Sequence, residues 1–238
     1  MTTFQSAIID FPEELMRVLS YRFYLTPSTF AFSSPISGEE TVIRAHQKWM
    51  FEISTSTLDE ELWRKWNAFI ARLEGMVTLV RIWDPGNDYP LGTASGPEPD
   101  SDNPVEPWSD GTLFTDGSGW TSGSTSALVA VAAEKGDNEM VIGGLRESEE
   151  IALEEGDKFG IGEFTYQVIQ RAASNASGES MIQFRPALRE DVLVGAEVNF
   201  YKPTFVGRLM SNDDGIIEID IRKNGAGGAK FVEVLPWS

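Results

Sequence analysis

A capped amphipathic helix set between runs of alternating apolar residues is the feature that most restricts this chain. Across residues 58–74, Leu62, Trp66, Phe69, Ile70 and Leu73 fall at i, i+4, i+7, i+8 and i+11. That spacing lines them along one stripe of an α-helix, which then has a face to bury. Thr57 and Glu60 fit a capping box, each side chain satisfying an otherwise unpaired backbone N–H of the other residue. Asp59, Glu60 and Glu61 stand in the first turn, where the helix dipole favours negative charge, and Gly75 supplies the stop. On either side the period drops to two. Trp49, Phe51 and Ile53 share one face of a strand and Met50, Glu52 and Ser54 the other, and Leu79 to Trp83 forms a further apolar run. The helix is expected to pack on a sheet.

The rest of the chain reads as β-structure with one long break. A short helix is expected after Pro12, with Leu15, Val18 and Leu19 at helical spacing. Strands follow at about 21–25 and 29–32, then a loop marked by Pro35 and Gly38, then 41–44 and 49–54 as a β pair. Residues 84–126 are rich in Pro, Gly and Asp, which disfavour regular structure, and a loop of that length marks a domain boundary. Beyond it, 128–133, 140–142, 153–161, 164–169, 181–186 and 198–201 are short strand-like runs between turns, the pattern of a small barrel or sandwich. Ile217, Ile219 and Ile221 alternate with charged residues as a half-buried strand. A turn from Asn224-Gly225 to Gly228 then leads into Phe231 to Leu235 as its hairpin partner. An isolated hairpin is marginal in water, so this one is expected to return to the first sheet. The domain plan is 1–90 as the first part of one domain, 91–124 as linker, 125–203 as an inserted β-domain and 204–238 as the hairpin completing the first. The fold class is mainly β (α+β): a β-barrel or sandwich with one packed helix, plus an inserted small β-barrel or sandwich.

Charge and composition exclude several functions. Nineteen basic residues stand against 37 acidic ones, a net charge of −18. Duplex nucleic acid is held by cations that displace counterions from phosphates, so no specific nucleic-acid binding is expected. No window approaches 18 consecutive apolar residues, so no membrane insertion is expected either. Met1-Thr2-Thr3-Phe4 lacks a basic stretch before an apolar run, and no secretory signal is read there. The absence of cysteine excludes disulfides and thiolate metal sites, and suits synthesis in a cytoplasm.

Residues able to carry chemistry are sparse. His46 is the single histidine, which removes multi-histidine metal sites and argues against a catalytic triad. No Gly-x-Ser-x-Gly elbow is present, and Ser118 in Gly117-Ser118-Gly119-Trp120 belongs to the linker. Gly160 and Gly162 do not open a helix, so no phosphate-cradling loop is expected. The carboxylate groups Asp100/Asp102, Asp213/Asp214 and Glu147 to Glu155 could hold Ca²⁺ or pair for glycoside hydrolysis, though none has EF-hand spacing. Asp213-Asp214-Gly215 also has the composition of an acidic turn. No catalytic residue, cofactor or metal is assigned. Trp108 and Trp120 lie in the polar linker, where an indole could stack on a sugar or pack on a partner.

Several of these segments together resemble a known family. They are Ser34-Pro35-Ile36-Ser37-Gly38, the Trp49 strand, Leu62-Trp63 with Phe69 to Gly75, Arg81-Ile82-Trp83-Asp84-Pro85 and Pro90-Leu91-Gly92-Thr93-Ala94. Leu153 to Phe159, Tyr166-Gln167-Val168 and Phe184 to Arg189 continue the pattern, which is similar to the distal-tail, or baseplate hub, proteins of long-tailed phages and prophages. The acidic linker at 96–110 is longer than that pattern has. The resemblance implies a tail-tube-like domain, six copies of which form a ring joining the tail tube to the tip, with DNA passing through its lumen. It implies a virion-tail location after synthesis in the host bacterial cytoplasm. The implied partners are further copies of the chain, the tail tube protein and the tail tip or hub proteins. Two other readings remain beside this structural one: a receptor- or glycan-binding tail-tip module using Trp108 and Trp120, and a carboxylate-based glycan hydrolase.

Overall fold

The computed structural model describes residues 7–16, 20–27, 29–33, 40–44, 46–87, 90–92, 126–219 and 225–235. The protein is mainly β, with a mixed sheet, a closed six-stranded barrel and one long helix. The chain forms two compact units, residues 1–85 with 204–238, and residues 86–203.

The first unit begins with β1 (Ile8–Asp10), α1 (Glu13–Met16), β2 (Ser20–Leu25), β3 (Thr29–Ser33) and β4 (Glu40–Arg44). It continues with β5 (Trp49–Leu58), α2 (Glu60–Leu73) and β6 (Leu79–Trp83). The second unit holds β7 (Ser126–Val129), β8 (Glu139–Gly143), β9 (Lys158–Ile161), β10 (Phe164–Gln170), β11 (Ser180–Arg185) and β12 (Glu197–Asn199). The chain then returns to the first unit as β13 (Thr204–Leu209), β14 (Ile217–Ile219) and β15 (Gly225–Glu233).

The main sheet runs β1-β6-β13-β15-β5-β2, with β14 also paired to β15. Only β1 and β6 are parallel; the other ladders are antiparallel. Alternation along β5 turns Trp49, Phe51 and Ile53 into the core, where they join Trp66, Phe69 and Leu73 of α2. Phe11 meets Phe51, Phe69 and Phe231 edge-on, at ring-centroid distances of 5.9, 5.0 and 5.9 Å. Such contacts add about 0.5–1.5 kcal/mol per pair beyond the area they bury. In the barrel, ordered β10-β11-β8-β7-β12-β9, closure leaves no open edge. Its core centres on Phe159, Tyr166 and Phe184, whose rings lie 5.3–5.5 Å apart.

The structure corrects several expectations. Residues 41–44 and 49–54 do not pair. β4 pairs instead with β3, and β5 is occupied on both edges by β2 and β15. The cap of α2 is Asp59, not Thr57: β5 keeps the chain extended through Leu58, and Asp59 Oδ1 accepts the Leu62 N–H at 2.9 Å. At the other end Glu74 itself enters the left-handed region (φ 50°), one residue ahead of Gly75. The glycine run expected as a turn is strand: Gly225, Gly227 and Gly228 lie within β15, opposite Leu58, Thr55 and Ser54 of β5. Side chains would not fit there. A Cβ on Gly228 would lie 2.5 Å from the Ile53 carbonyl oxygen, and one on Gly225 would lie 2.9 Å from Cβ of Trp63 in α2. Ile219 is exposed and only Ile217 is half-buried; Ile221 lies outside the described residues. α1 spans four residues; Val18 and Leu19, like Pro35 and Gly38, fall outside the described residues. The 128–133 strand ends at Val129, and the 153–161 run is turn until Lys158. β1 and β13 escape pattern reading: one has three residues, and the other buries Phe205, Val206 and Gly207 in succession instead of alternating.

Gly228→Ala is expected to lower the unfolding free energy by about 2 kcal/mol or more, because overpacking against backbone has no rotamer escape. Urea denaturation followed by circular dichroism and tryptophan emission measures this, and an unchanged midpoint would contradict it.

Candidate functional site

The residues singled out from sequence do not converge on one site. Trp108, Trp120, Ser118, Asp100 and Asp102 lie outside the described residues. His46 is exposed in the connection between β4 and β5. Asp213 and Asp214 form a turn, in which Asp214 Oδ2 accepts the Ser211 N–H at 2.8 Å. The turn braces α2: Gly215, at φ 89°, offers its carbonyl to the Trp66 indole N–H at 2.7 Å. In the Glu147 to Glu155 run, Glu154 is held by Arg171 in a two-pronged contact of 2.7 and 2.9 Å. That guanidinium keeps the Glu154 carboxyl below its ordinary pKa. Among the described residues no group of three or more His, Asp or Glu side chains is placed to hold a metal. Gly160 lies in β9, and Gly162, at φ 59°, begins the turn into β10.

A buried carboxylate does organise one region. Asp157, fully buried, accepts three backbone N–H groups: Leu91 at 2.7 Å, Gly92 at 3.2 Å and Glu154 at 2.8 Å. Asn87 Nδ2 adds a bond to the Gly156 carbonyl at 3.3 Å. Asn87, Leu91 and Gly92 are thereby fastened to the turn preceding β9. Gly92 is required by contact, since a Cβ there would lie 2.4 Å from the Ala152 oxygen. Three N–H donors offset the desolvation that burial imposes on the carboxyl oxygens. Neither sequence segment announces this meeting: Asp157 reads as an ordinary turn residue, and Leu91-Gly92 as the start of a linker.

The main sheet presents a second feature on the side away from α2. Registers place Arg22, Glu52 and Lys230 in one cross-strand row, with Tyr24 and Arg208 in the next. Tyr24 donates to Glu52 at 2.9 Å, and burial together with that bond holds the phenol above its ordinary pKa. The Lys230 ammonium lies 3.9 Å from the same carboxylate. Next to this row, Ser20, Ser54 and Gly228 leave a trough of about 540 Å³, with Asp214 at its margin. On the core side, buried Glu233 accepts the Trp49 N–H at 3.0 Å and so ties β15 to the start of β5. None of this has the geometry of a nucleophile, a general acid–base pair or a metal centre.

No family model matches the sequence, and no curated protein matches it significantly.

Asp157→Asn places an amide NH₂ against N–H donors. It is expected to cost at least about 2 kcal/mol of barrel stability and to speed hydrogen exchange at the Leu91 and Gly92 amides. Exchange mass spectrometry on the full chain checks this; unchanged protection of residues 90–92 would contradict it.

Proposed function

We propose that this chain is a structural subunit of a long-tailed phage tail, forming a ring, of six copies by the resemblance, between the tail tube and the tip. The observation that carries the reading is the main sheet's pair of unlike open edges. β1 ends it on one side with three residues and β2 on the other with six, and among the described residues no strand covers either. Open edges invite pairing with another chain, and joining two unlike edges head to tail makes a heterologous contact that closes into a ring when the rotation permits. The β3–β4 hairpin, which pairs with no further strand among the described residues, gives each copy another element to offer a neighbour. The resemblance to the distal-tail family supports the same reading through independent segments. The net charge of −18 suits a passage that DNA must traverse without adhering.

Purified protein is expected to give closed six-fold rings in negative-stain images, together with a single hexamer mass in solution. A chain that stays monomeric at all concentrations and is absent from purified tails would overturn the proposal.

A further inference from the structure

The barrel carries an aliphatic strip on its outer surface, separate from its packed core. Leu128, Val131, Met181, Leu193 and Val194 are each 53–74% exposed. Registers set them side by side. Met181 of β11 stands opposite Val141 of β8, and the Val141 carbonyl accepts both the Ala130 and the Val131 N–H. The ladder that pairs Leu128 with Glu197 continues to the Ala133–Val192 bridge, which puts Val194 beside Val131 and Leu193 beside Ala132. Leu128 faces Gly143 across the β7–β8 ladder, where no side chain screens it. Met181 and Val194 are three strand spacings apart, about 15 Å. Ile169, also exposed, is set off from this strip, in a hollow it shares with Gln183 and Glu139.

The barrel core around Phe159, Tyr166 and Phe184 is filled without these side chains. A contiguous apolar patch of a few hundred Å², bordered by polar groups, marks a surface that another molecule covers. The strip has no aromatic ring on which a sugar could stack. The closed barrel has no free edge to accept a strand, so contact is made through side chains. Its border is acidic: exposed Glu139 follows Val141 along β8, exposed Glu179 precedes Met181, and exposed Glu197 stands opposite Leu128. Lys135, in the turn beyond Ala133, is set among Glu134, Asp137 and Asp191. We infer that this strip is a docking surface for a second protein whose own aliphatic side chains are bordered by lysine and arginine. Strip-to-strip contact between two copies would bring these carboxylates against each other. The 93–125 segment, with six acidic residues and no basic one, has the wrong sign as well. Anionic lipid is repelled for the same reason. The surface belongs to the barrel and goes beyond ring formation, which the proposed function places on the main sheet.

Selection of a random peptide library, displayed on ribosomes, against the full-length protein tests this. Enriched peptides are expected to carry aliphatic residues flanked by Lys or Arg and to bind less tightly as salt rises. Leu128→Glu/Met181→Glu is expected to weaken their binding about tenfold or more, and Val77→Glu, at an exposed position of the first unit, to leave it unchanged. Thermal melting verifies the fold of each variant; Val194→Glu, in a turn, probes the same strip if the double variant unfolds. No enrichment, acidic peptides, or peptides that bind the strip variants as well as the wild type would overturn the inference. Self-association of the wild type that Leu128→Glu/Met181→Glu abolishes would make a second copy the occupant. Faster hydrogen exchange across residues 93–125 in that variant would make the chain's own segment the occupant. Wild-type binding to phosphatidylcholine vesicles, lost in the variant, would make the strip a lipid surface. Each of these three results would also overturn it.

Discussion

The first unit depends on how closely α2 can approach the sheet, and the absence of side chains at a few glycines sets that distance. Trp63 lies where Gly225 would carry a Cβ, and Ile70 lies where Gly215 would. With those positions empty, Trp66, Phe69 and Leu73 are buried to within a few per cent of full exclusion from water, and Trp66 reaches the Gly215 carbonyl. A buried indole N–H without an acceptor would cost about 1–3 kcal/mol, so this bond helps fix the helix in one position as well as one orientation. The aromatic cluster around Phe11 and the pairing of β5 with β15 pack against that fit.

The barrel is built on a different principle. It closes on itself, so its strands need no neighbour, and its buried carboxylate Asp157 is held by three backbone N–H groups. That carboxylate holds the Leu91 and Gly92 amides against the turn before β9. A sheet with open edges and a barrel without them therefore occur in one chain.

What was legible in the sequence follows from which signals are local. The stripe from Leu62 to Leu73 and the alternation of Trp49 to Ile53 depend on neighbouring residues, and both elements are present. The mainly-β character and the barrel or sandwich at 125–203 were readable from strands cut by turns. Pairing was less readable, because β4 could match either β3 or β5 in composition; only the three-dimensional claim of β2 and β15 on β5 decides. Gly225 to Gly228 was misread because glycine in sequence signals a turn, while here it marks close approach of backbone and helix. Thr57 was displaced as cap because β5 runs one residue past it. The Asp157 contacts join segments 65 and 66 residues apart, and no local pattern encodes them. The tryptophans proposed for glycan contact, Trp108 and Trp120, lie outside the described residues.

The proposal at the centre of this account is that the chain works as an architectural component of a phage tail. Gold-labelled antibody against it, viewed on intact phage particles by electron microscopy, tests that most directly. The account predicts label confined to the junction between tail tube and tip. Label on the head, or particles that lack the chain altogether, would contradict it.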